Sequence, residues 1–210
     1  MTPAFSLCVY CGSRTGMGDE FRDVASRVGR WIGENGGQLV YGGGNAGLMG
    51  IVADETLLAG GTVVGVIPQA LVARELAKRD CTELHVVDNM HERKRLMAER
   101  ADVFVALPGG IGTMEEFFEV WTWRQLGYHD KPVGLLNTGG YYDALLEFLK
   151  DTVKHDFMSD WQMDLVRVGS DASALLTALV EETGHERPQR RCDVQAGGSR
   201  FHRCFPSLMR

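Results

Sequence analysis

Short apolar runs alternate with helical segments along most of this chain, and no other feature limits the possible folds as strongly. Seven runs lack the in–out alternation of a half-exposed strand, which indicates strands buried on both faces. The runs are SLCVY (6–10), QLVY (38–41), TVVGVI (62–67), LHVV (84–87), VFVAL (103–107), PVGLL (132–136) and LVRV (165–168). Segments with helical spacing of apolar residues lie between most of them, at 19–35, 48–59, 90–101, 113–126, 141–155 and 171–182.

Alternating buried strands and helices predict an α/β fold, here a Rossmann-like, doubly wound parallel sheet of about seven strands with helices on both faces. Ligands of such sheets bind beyond the carboxyl ends of the strands. A chain of 210 residues has room for one sizeable core but hardly for a second full domain. We therefore predict a single domain over residues 1–183.

The last stretch, residues 184–210, differs in composition from the rest of the chain. It contains six arginines and two acidic residues, and it shows no apolar periodicity. This composition predicts a basic, disordered tail. A metal site is the alternative for four of its residues, but their spacing matches no paired-ligand pattern; they are His185, Cys192, His202 and Cys204.

Overall charge and composition argue against several classes of function. The net charge of −6 gives no support for binding to nucleic acid or to an anionic membrane. No stretch approaches the ~18 apolar residues of a membrane span, and the first residues lack the pattern of a signal peptide. Five cysteines, an odd number, indicate reduced thiols and a cytoplasmic location.

Cys8 and Cys11 form a C-x-x-C pair at the end of the first predicted strand. No second pair follows that would complete a zinc site. Small residues packed at a strand end are favoured over a redox dithiol, which is the alternative. No His, Cys and carboxylate cluster has ligand spacing, so we expect neither a metal nor a cofactor.

Three predicted strand ends carry glycine-rich or small-residue sequence: CGSR (11–14), YGGGNAGLMG (41–50) and PGGIGTMEE (108–116). Such strand-to-helix junctions favour an anion, because their backbone N–H groups are free and the helix dipole is positive there. The second loop satisfies G-x-G-x-x-G, but the following strand lacks the acidic residue that holds a ribose, and no P-loop motif occurs. The loops are therefore predicted to wrap a phosphate, a sugar or both.

Charged residues flank the third loop on two predicted helices. Arg93 lies on the apolar stripe of segment 90–101, which directs its guanidinium toward a strand end or a cleft, where it could bind phosphate. The alternative is a side chain that lies along a surface helix. Thr113 and Glu116 share one face of the next helix with the loop N–H groups, although acids near a helix start also complement its dipole.

Taken together, these motifs resemble the LOG ("Lonely guy") family. PGGIGTMEE matches the family motif PGGxGTxxE, and MHERK (90–94) matches MHxRK. CGS, YGGGNAGLMG and TWRQLGYHDKPVGLLN (122–137) are also similar, so the resemblance runs from about residue 5 to 182. It implies a phosphoribohydrolase that cleaves the N-glycosidic bond of N6-substituted adenosine 5'-monophosphates, and of AMP in many members.

The resemblance also implies roles for individual residues. Arg93 and Glu116 would be the catalytic pair, with Glu116 acting as base, electrostatic stabiliser or nucleophile. Substrate binding would involve Glu75, Lys94, Gly110, Ile111, Gly112, Thr113, Met114, Glu115 and Thr122. The loop residues Ser13, Gly43, Gly44 and Gly109 are further candidates for substrate binding.

Two other functional classes remain as alternatives. One is a non-catalytic carrier of a nucleotide-like or molybdenum cofactor, as in relatives of the same fold. The other is the lysine decarboxylase with which members of the family have often been labelled. That enzyme needs a lysine that forms a Schiff base with pyridoxal phosphate, and none of the five lysines lies in an evident setting of that kind.

Apolar side chains cover more than one face of the helix that follows the third loop. Phe117, Val120 and Trp121 define one stripe, and Phe118 and Trp123 lie off it. A helix that faces a single core needs an apolar arc of only about 100°. One stripe against the core and the other against a second subunit would satisfy both, which predicts a homodimer, as the resemblance also implies.

Overall fold

The structure, a computed structural model, describes residues 2–72 and 77–184. Its seven strands pair in parallel throughout and form one sheet in the order β4-β3-β2-β1-β5-β6-β7. The strands are β1 Ser6–Tyr10, β2 Gln38–Tyr41, β3 Thr62–Pro68, β4 Glu83–Val87, β5 Val103–Ala106, β6 Val133–Leu136 and β7 Val166–Gly169. The predicted α/β class and parallel sheet are thus confirmed.

Helices connect these strands at the predicted places. They are α1 Asp19–Glu34, α2 Gly47–Leu58, α3 Met90–Arg100, α4 Ile111–Gln125, α5 Asp143–Lys154, α6 Asp160–Met163 and α7 Ala172–Glu182. Single 3-10 turns occur at Gln69–Leu71 and Thr138–Gly140. Helix α6 was not predicted, because four residues are too few to show a helical period.

Two buried apolar layers lie on opposite faces of the sheet. Leu7 and Val9 of β1 point into the layer formed with α1, α2 and α7. Cys8 and Tyr10 of the same strand point into the layer formed with α3, α4 and α5. Burial on both faces explains why the strand sequences are continuously apolar, and it confirms the doubly wound arrangement.

The order of the strands reverses between β1 and β5. In sheets of this kind a crevice opens at that switch point, beyond the carboxyl ends of the two strands. Tyr10 pairs in register with Ala106, so the segments that follow β1 and β5 leave the sheet side by side. These are the segments that contain CGSR and PGGIGT.

The described part of the chain includes no helix with the length and hydropathy that crossing a bilayer would require. The stretch predicted to form a disordered tail lies, apart from Gly184, outside the described residues, as do its His and Cys residues.

Candidate active site

The three predicted loops meet at the carboxyl edge of the sheet. Gly12 links them through its backbone: its N–H donates to the carbonyl of Pro108 at 3.1 Å, and its carbonyl accepts from the N–H of Leu48 at 3.0 Å. Gly47 has a φ of +61°, and a Cβ there would lie 2.3 Å from the carbonyl carbon of Ser13. Loops from three separate strands therefore pack backbone against backbone around one crevice.

The N-terminus of α4 opens into this crevice. Gly110 is its N-cap and supplies no side-chain hydrogen bond to the first turn. Ile111 is 90% exposed, whereas Thr113 is buried. The Thr113 hydroxyl packs so closely against Gly109 that a Cβ added there would lie only 2.1 Å from it. The Met114 N–H is already bound to the Gly110 carbonyl at 3.1 Å. The N–H groups that precede Met114 in this first turn receive no side-chain cap from Gly110, so they are available to an anion, which the helix dipole also favours.

Nothing in the fold itself accounts for glycine at two positions of this turn. A Cβ at Gly110 or Gly112 would meet no atom within 4 Å. Gly110 has a φ of −94°, and neither residue has the positive φ that favours glycine. Packing and backbone conformation would therefore allow a side chain at both positions. A ligand that contacts this backbone directly would require glycine there, because a side chain would keep the ligand at a distance.

Arg93 on α3 lies inside the protein rather than along its surface. Its side chain is only 5% exposed, and its Nη2 donates to the carbonyl of Gly42 at 3.0 Å, directly after β2. A Cβ at Gly42 would lie 2.1 Å from that nitrogen, so a side chain there would displace the guanidinium from this position. The structure thus places a fixed positive charge at the edge of the sheet where the loops meet.

Glu116 lies one helical turn after Thr113 and is half-buried. Its electrostatic effect shows which groups it lies near. Burial is the main cause that raises the pKa of the Cys8 thiol; the Glu116 carboxylate raises it further, and the Arg93 guanidinium lowers it. The two candidate catalytic charges therefore act on the same buried group at the centre of the sheet.

Cys8 and Cys11 are both buried, and neither is in a disulfide. Burial, followed by the charge of Glu116, raises the pKa of the Cys11 thiol well above its usual range. Thiols that stay protonated are poor nucleophiles and poor metal ligands. Within the described residues, no three His, Cys, Asp or Glu side chains are grouped closely enough to hold a metal ion.

Lys94 links α3 to α4 through two carboxylates. Its Nζ lies 2.5 Å from Glu115 Oε1 and 2.9 Å from Glu119 Oε1. Burial lowers the pKa of Lys94, but the hydrogen bonds to the two glutamates outweigh it and raise the pKa above its ordinary value. Glu115 is thus held by an ion pair with Lys94.

The remaining candidate substrate-binding residues of the second loop and its surroundings are buried, exposed or outside the described part of the chain. Gly43 and Gly44 are buried under the segment after Glu75: the Gly43 carbonyl accepts from the Lys78 N–H at 2.9 Å, and Gly44 pairs with Ala77. Ser13 is exposed, and its backbone lies against Gly47. Glu75 itself lies outside the described residues.

Thr122 is exposed on α4, eleven residues after its start, which places it on the order of 16 Å from the first turn. Within one subunit the structure does not bring Thr122 to the crevice.

Sequence reasoning missed two tyrosines that contact the third loop. Tyr141 and Tyr142 follow β6, and their hydroxyls donate to the carbonyls of Gly109 at 2.7 Å and of Leu107 at 2.6 Å. The only signal in the sequence was the segment NTGGYY (137–142), a glycine turn after a strand that neighbours β5.

These features define a class, the Rossmann-like α/β proteins with a crevice where the strand order reverses, which is where such sheets bind their ligands. A family model described as "Possible lysine decarboxylase" matches residues 49–179. The "Cytokinin riboside 5'-monophosphate phosphoribohydrolase LOG3" of Arabidopsis thaliana is 44% identical over 182 residues, which cover 86% of this chain and 85% of that one. A protein of the same name, without the LOG3 suffix, from Rhodococcoides fascians is 46% identical over 175 residues, 83% and 88% of the two chains. The chain therefore belongs to the LOG family.

Solved structures show the same fold at lower similarity. The molybdenum cofactor (Moco) carrier protein of Chlamydomonas reinhardtii superposes with a TM-score of 0.63 over 87% of this chain and 98% of that one. Its sequence identity of 24% supports a common fold and no further conclusion.

The lysines do not fit the description "lysine decarboxylase". A lysine that forms a Schiff base must reach its cofactor as a neutral amine. Instead, Lys131 donates to the Ala98 carbonyl at 2.7 Å, and the other four lysines lie in ion pairs. The carboxylate partners are Asp54 and Asp80 for Lys78, Glu115 and Glu119 for Lys94, Glu147 for Lys150, and Glu147 and Asp151 for Lys154.

Proposed function

We propose that this protein is an N-glycosyl hydrolase that cleaves N6-substituted adenosine 5'-monophosphates, and AMP itself, to the free base and ribose 5-phosphate. The observation that carries the proposal is the uncapped start of α4, where a side chain at Gly110 or Gly112 would meet only open space, with Glu116 about one turn further along. The names of the two relatives support the same substrate class.

The arrangement suits the two ends of a nucleotide. The 5'-phosphate would accept hydrogen bonds from the first-turn N–H groups of α4, with Arg93 adding positive charge at the same edge. Cleavage of the bond between C1' and N9 develops positive charge on the sugar, and the Glu116 carboxylate would stabilise that charge or activate the attacking water. Arg93 stays protonated, so its part is to bind and orient the substrate rather than to transfer a proton.

Adenine release tests this function. The protein would be incubated separately with AMP, isopentenyladenosine monophosphate and adenosine, and the free base would be measured by chromatography. We expect release from both monophosphates and little from adenosine, because phosphate binding is what holds C1' against Glu116. A carrier would bind nucleotide without product, and comparable kcat/KM on adenosine and AMP would refute the proposed role of the phosphate.

We also propose that the active unit is a homodimer formed along α4. Trp121 and Phe117 are buried in the core, whereas Phe118 and Trp123 are half-buried and Leu126 is exposed on other sides of the same helix. A partner that covers this side would also be able to supply groups near the crevice that one subunit lacks. Size exclusion with light scattering decides this: a monomer mass at micromolar concentration with full activity contradicts the proposal.

A cytoplasmic location completes the proposal. It is supported by Cys8, Cys11 and Cys81, which are free thiols in the described part of the chain and are typical of a reducing compartment. Fractionation of cells that express the protein, with activity measured in each fraction, tests it.

A further inference from the structure

The turn after β6 is held in place by Asn137. Its side-chain Oδ1 accepts from the N–H of Tyr142 at 2.7 Å, and its Nδ2 donates to Asp143 at 2.7 Å. Its own N–H donates to the carbonyl of Gly169 at 2.8 Å, which ties the turn to the end of β7. The start of α5 therefore has a fixed position relative to the sheet, and Tyr141 is fixed with it.

From this position two tyrosines and one glycine bind three successive carbonyls of the third loop. Tyr142 donates to Leu107 at 2.6 Å and Tyr141 donates to Gly109 at 2.7 Å. The carbonyl of Pro108, between them, accepts from the Gly12 N–H at 3.1 Å. All three carbonyls of residues 107–109 are therefore used inside the protein.

The direction of each carbonyl fixes the direction of the next N–H. In a trans peptide unit the C=O of one residue and the N–H of the following residue point to opposite sides of a rigid plane. The bond from Tyr141 to the Gly109 carbonyl therefore turns the Gly110 N–H away from Tyr141. That N–H immediately precedes the first-turn donors of α4. Gly109 and Gly110 have no side chains that would otherwise restrict this peptide.

We propose that Tyr141 is a positioning residue for the 5'-phosphate, in that its hydroxyl orients the Gly109–Gly110 peptide so that the Gly110 N–H joins the phosphate donors. This inference rests on the proposed function for the identity of the ligand. It adds a residue that lies 32 positions after the loop it orients.

Tyr142 has a different role, although its contact looks similar. It is only 1% exposed, so removal of its hydroxyl leaves the Leu107 carbonyl buried without a donor, which destabilises the fold. Tyr141 is 44% exposed, so water can replace its hydroxyl at the Gly109 carbonyl. Its ring would remain packed against Phe21 at 5.6 Å and Tyr142 at 4.8 Å. Loss of the Tyr141 hydroxyl therefore frees the Gly109–Gly110 peptide to turn, while the free energy of unfolding stays nearly the same.

The test compares Tyr141→Phe with Tyr142→Phe and with Tyr128→Phe, a control at a tyrosine that is 76% exposed. We measure AMP hydrolysis, thermal unfolding, and calorimetric binding of ribose 5-phosphate, which needs no catalysis. For Tyr141→Phe we expect KM for AMP and Kd for ribose 5-phosphate to rise by about tenfold, in line with one lost hydrogen bond to a charged group. We expect kcat and Tm to stay near the wild-type values. Tyr142→Phe should lower Tm, and Tyr128→Phe should change neither quantity.

Each outcome decides between the two proposals. Unchanged KM and Kd in Tyr141→Phe overturn the positioning role, and so does a fall in Tm as large as that of Tyr142→Phe. A wild-type protein that binds ribose 5-phosphate in a Tyr141-dependent way, yet releases no adenine from AMP, supports the positioning role and refutes the proposed hydrolysis. A wild-type protein that neither binds ribose 5-phosphate nor cleaves AMP refutes both.

Discussion

The Nη2 of Arg93 lies 3.0 Å from the carbonyl oxygen of Gly42, a residue 51 positions earlier in the chain. This bond joins the first turn of α3 to the loop after β2, and it holds a permanent positive charge at the carboxyl edge of the sheet. Because Gly42 has no Cβ, the guanidinium can approach the backbone this closely. The charge therefore has a fixed position before any substrate binds, which is what preorganised binding of an anion requires.

Arg93→Ala is expected to raise KM for AMP and to lower kcat, with a loss of about 10²-fold or more in kcat/KM, because the side chain both binds and orients the substrate. Arg93→Lys keeps the charge but loses the planar fork, so it should recover only part of the activity. Steady-state kinetics with AMP measures both. Arg95→Ala is the matched control, since Arg95 is exposed on the same helix and pairs only with Glu99 in the described contacts. Activity of Arg93→Ala within about threefold of wild type contradicts the proposed role.

Glu116→Gln is expected to lower kcat by roughly 10²-fold or more and to change nucleotide binding much less. The amide keeps the size and hydrogen bonding of the side chain but lacks the charge that matches the developing oxocarbenium ion. Single-turnover rates measure the chemical step, and calorimetry with ribose 5-phosphate measures binding. Glu99→Gln, an exposed glutamate on α3, is the control.

Glu115→Gln provides the sharper comparison, because it is the same change at the next position. Glu115 is exposed and lies about 100° around α4 from Glu116, away from the face that Glu116 shares with Thr113. Its loss should therefore affect kcat less than loss of Glu116 does. Wild-type kcat in Glu116→Gln, together with a large loss in Glu115→Gln, would show that the catalytic carboxylate had been assigned to the wrong residue.

The sequence predicted most of the fold because the strands are buried on both faces. A strand covered by helices on each side must be apolar at every position, and the run at residues 6–10 coincides with β1 for this reason. Helix α4 begins at Ile111 rather than at residue 113, because Gly110 serves as the N-cap and leaves no side-chain signal in the sequence. The turn Thr138–Gly140, with positive φ at Gly139 and Gly140, delays the start of α5 to Asp143.

The candidate site was less predictable than the fold, because its contacts join distant parts of the chain. The spacing of the glycines indicated the loops, and helical spacing placed Arg93 on an inward face. No pattern could indicate that Lys94 pairs with Glu115, 21 positions later, or that Tyr141 binds Gly109. Such pairings depend on how helices and turns pack across the sheet, which a local period does not encode.

Gly112→Ala is expected to leave the fold intact, or to stabilise it by up to about 1 kcal/mol, since alanine is the better helix former. A Cβ at this position would meet open space, and the proposed function places the phosphate against this first turn of α4. We therefore expect normal or raised Tm with binding of ribose 5-phosphate weakened by about tenfold or more. Gly47→Ala is the contrasting variant and should unfold more easily, because its Cβ would clash with the backbone of Ser13. Unchanged binding in Gly112→Ala would place the phosphate elsewhere.

His129 connects the end of α4 to the sheet in its neutral form. Its Nδ1 accepts from the N–H of Lys131 at 3.2 Å, so its Nε2 carries the proton and donates to the Val120 carbonyl at 2.9 Å. Its ring also packs against Phe104. Burial lowers the pKa of His129, and the positive charges of Lys131 and Arg124 lower it further, whereas the hydrogen bond to Val120 and the charge of Asp130 oppose the shift.

Since the folded state disfavours protonation of His129, the unfolded chain binds this proton more readily as pH falls below the ordinary histidine value of about 6.5. The free energy of unfolding should therefore decrease between about pH 7 and pH 5, and His129 can contribute at most about 1.4 kcal/mol per pH unit, because one proton is involved. Urea denaturation across this range measures the dependence. His129→Phe should be less stable at pH 7 but should lose less stability on acidification than wild type, whereas His91→Gln, at an exposed histidine, should follow wild type. An equal slope in wild type and His129→Phe would mean that other groups cause the acid sensitivity.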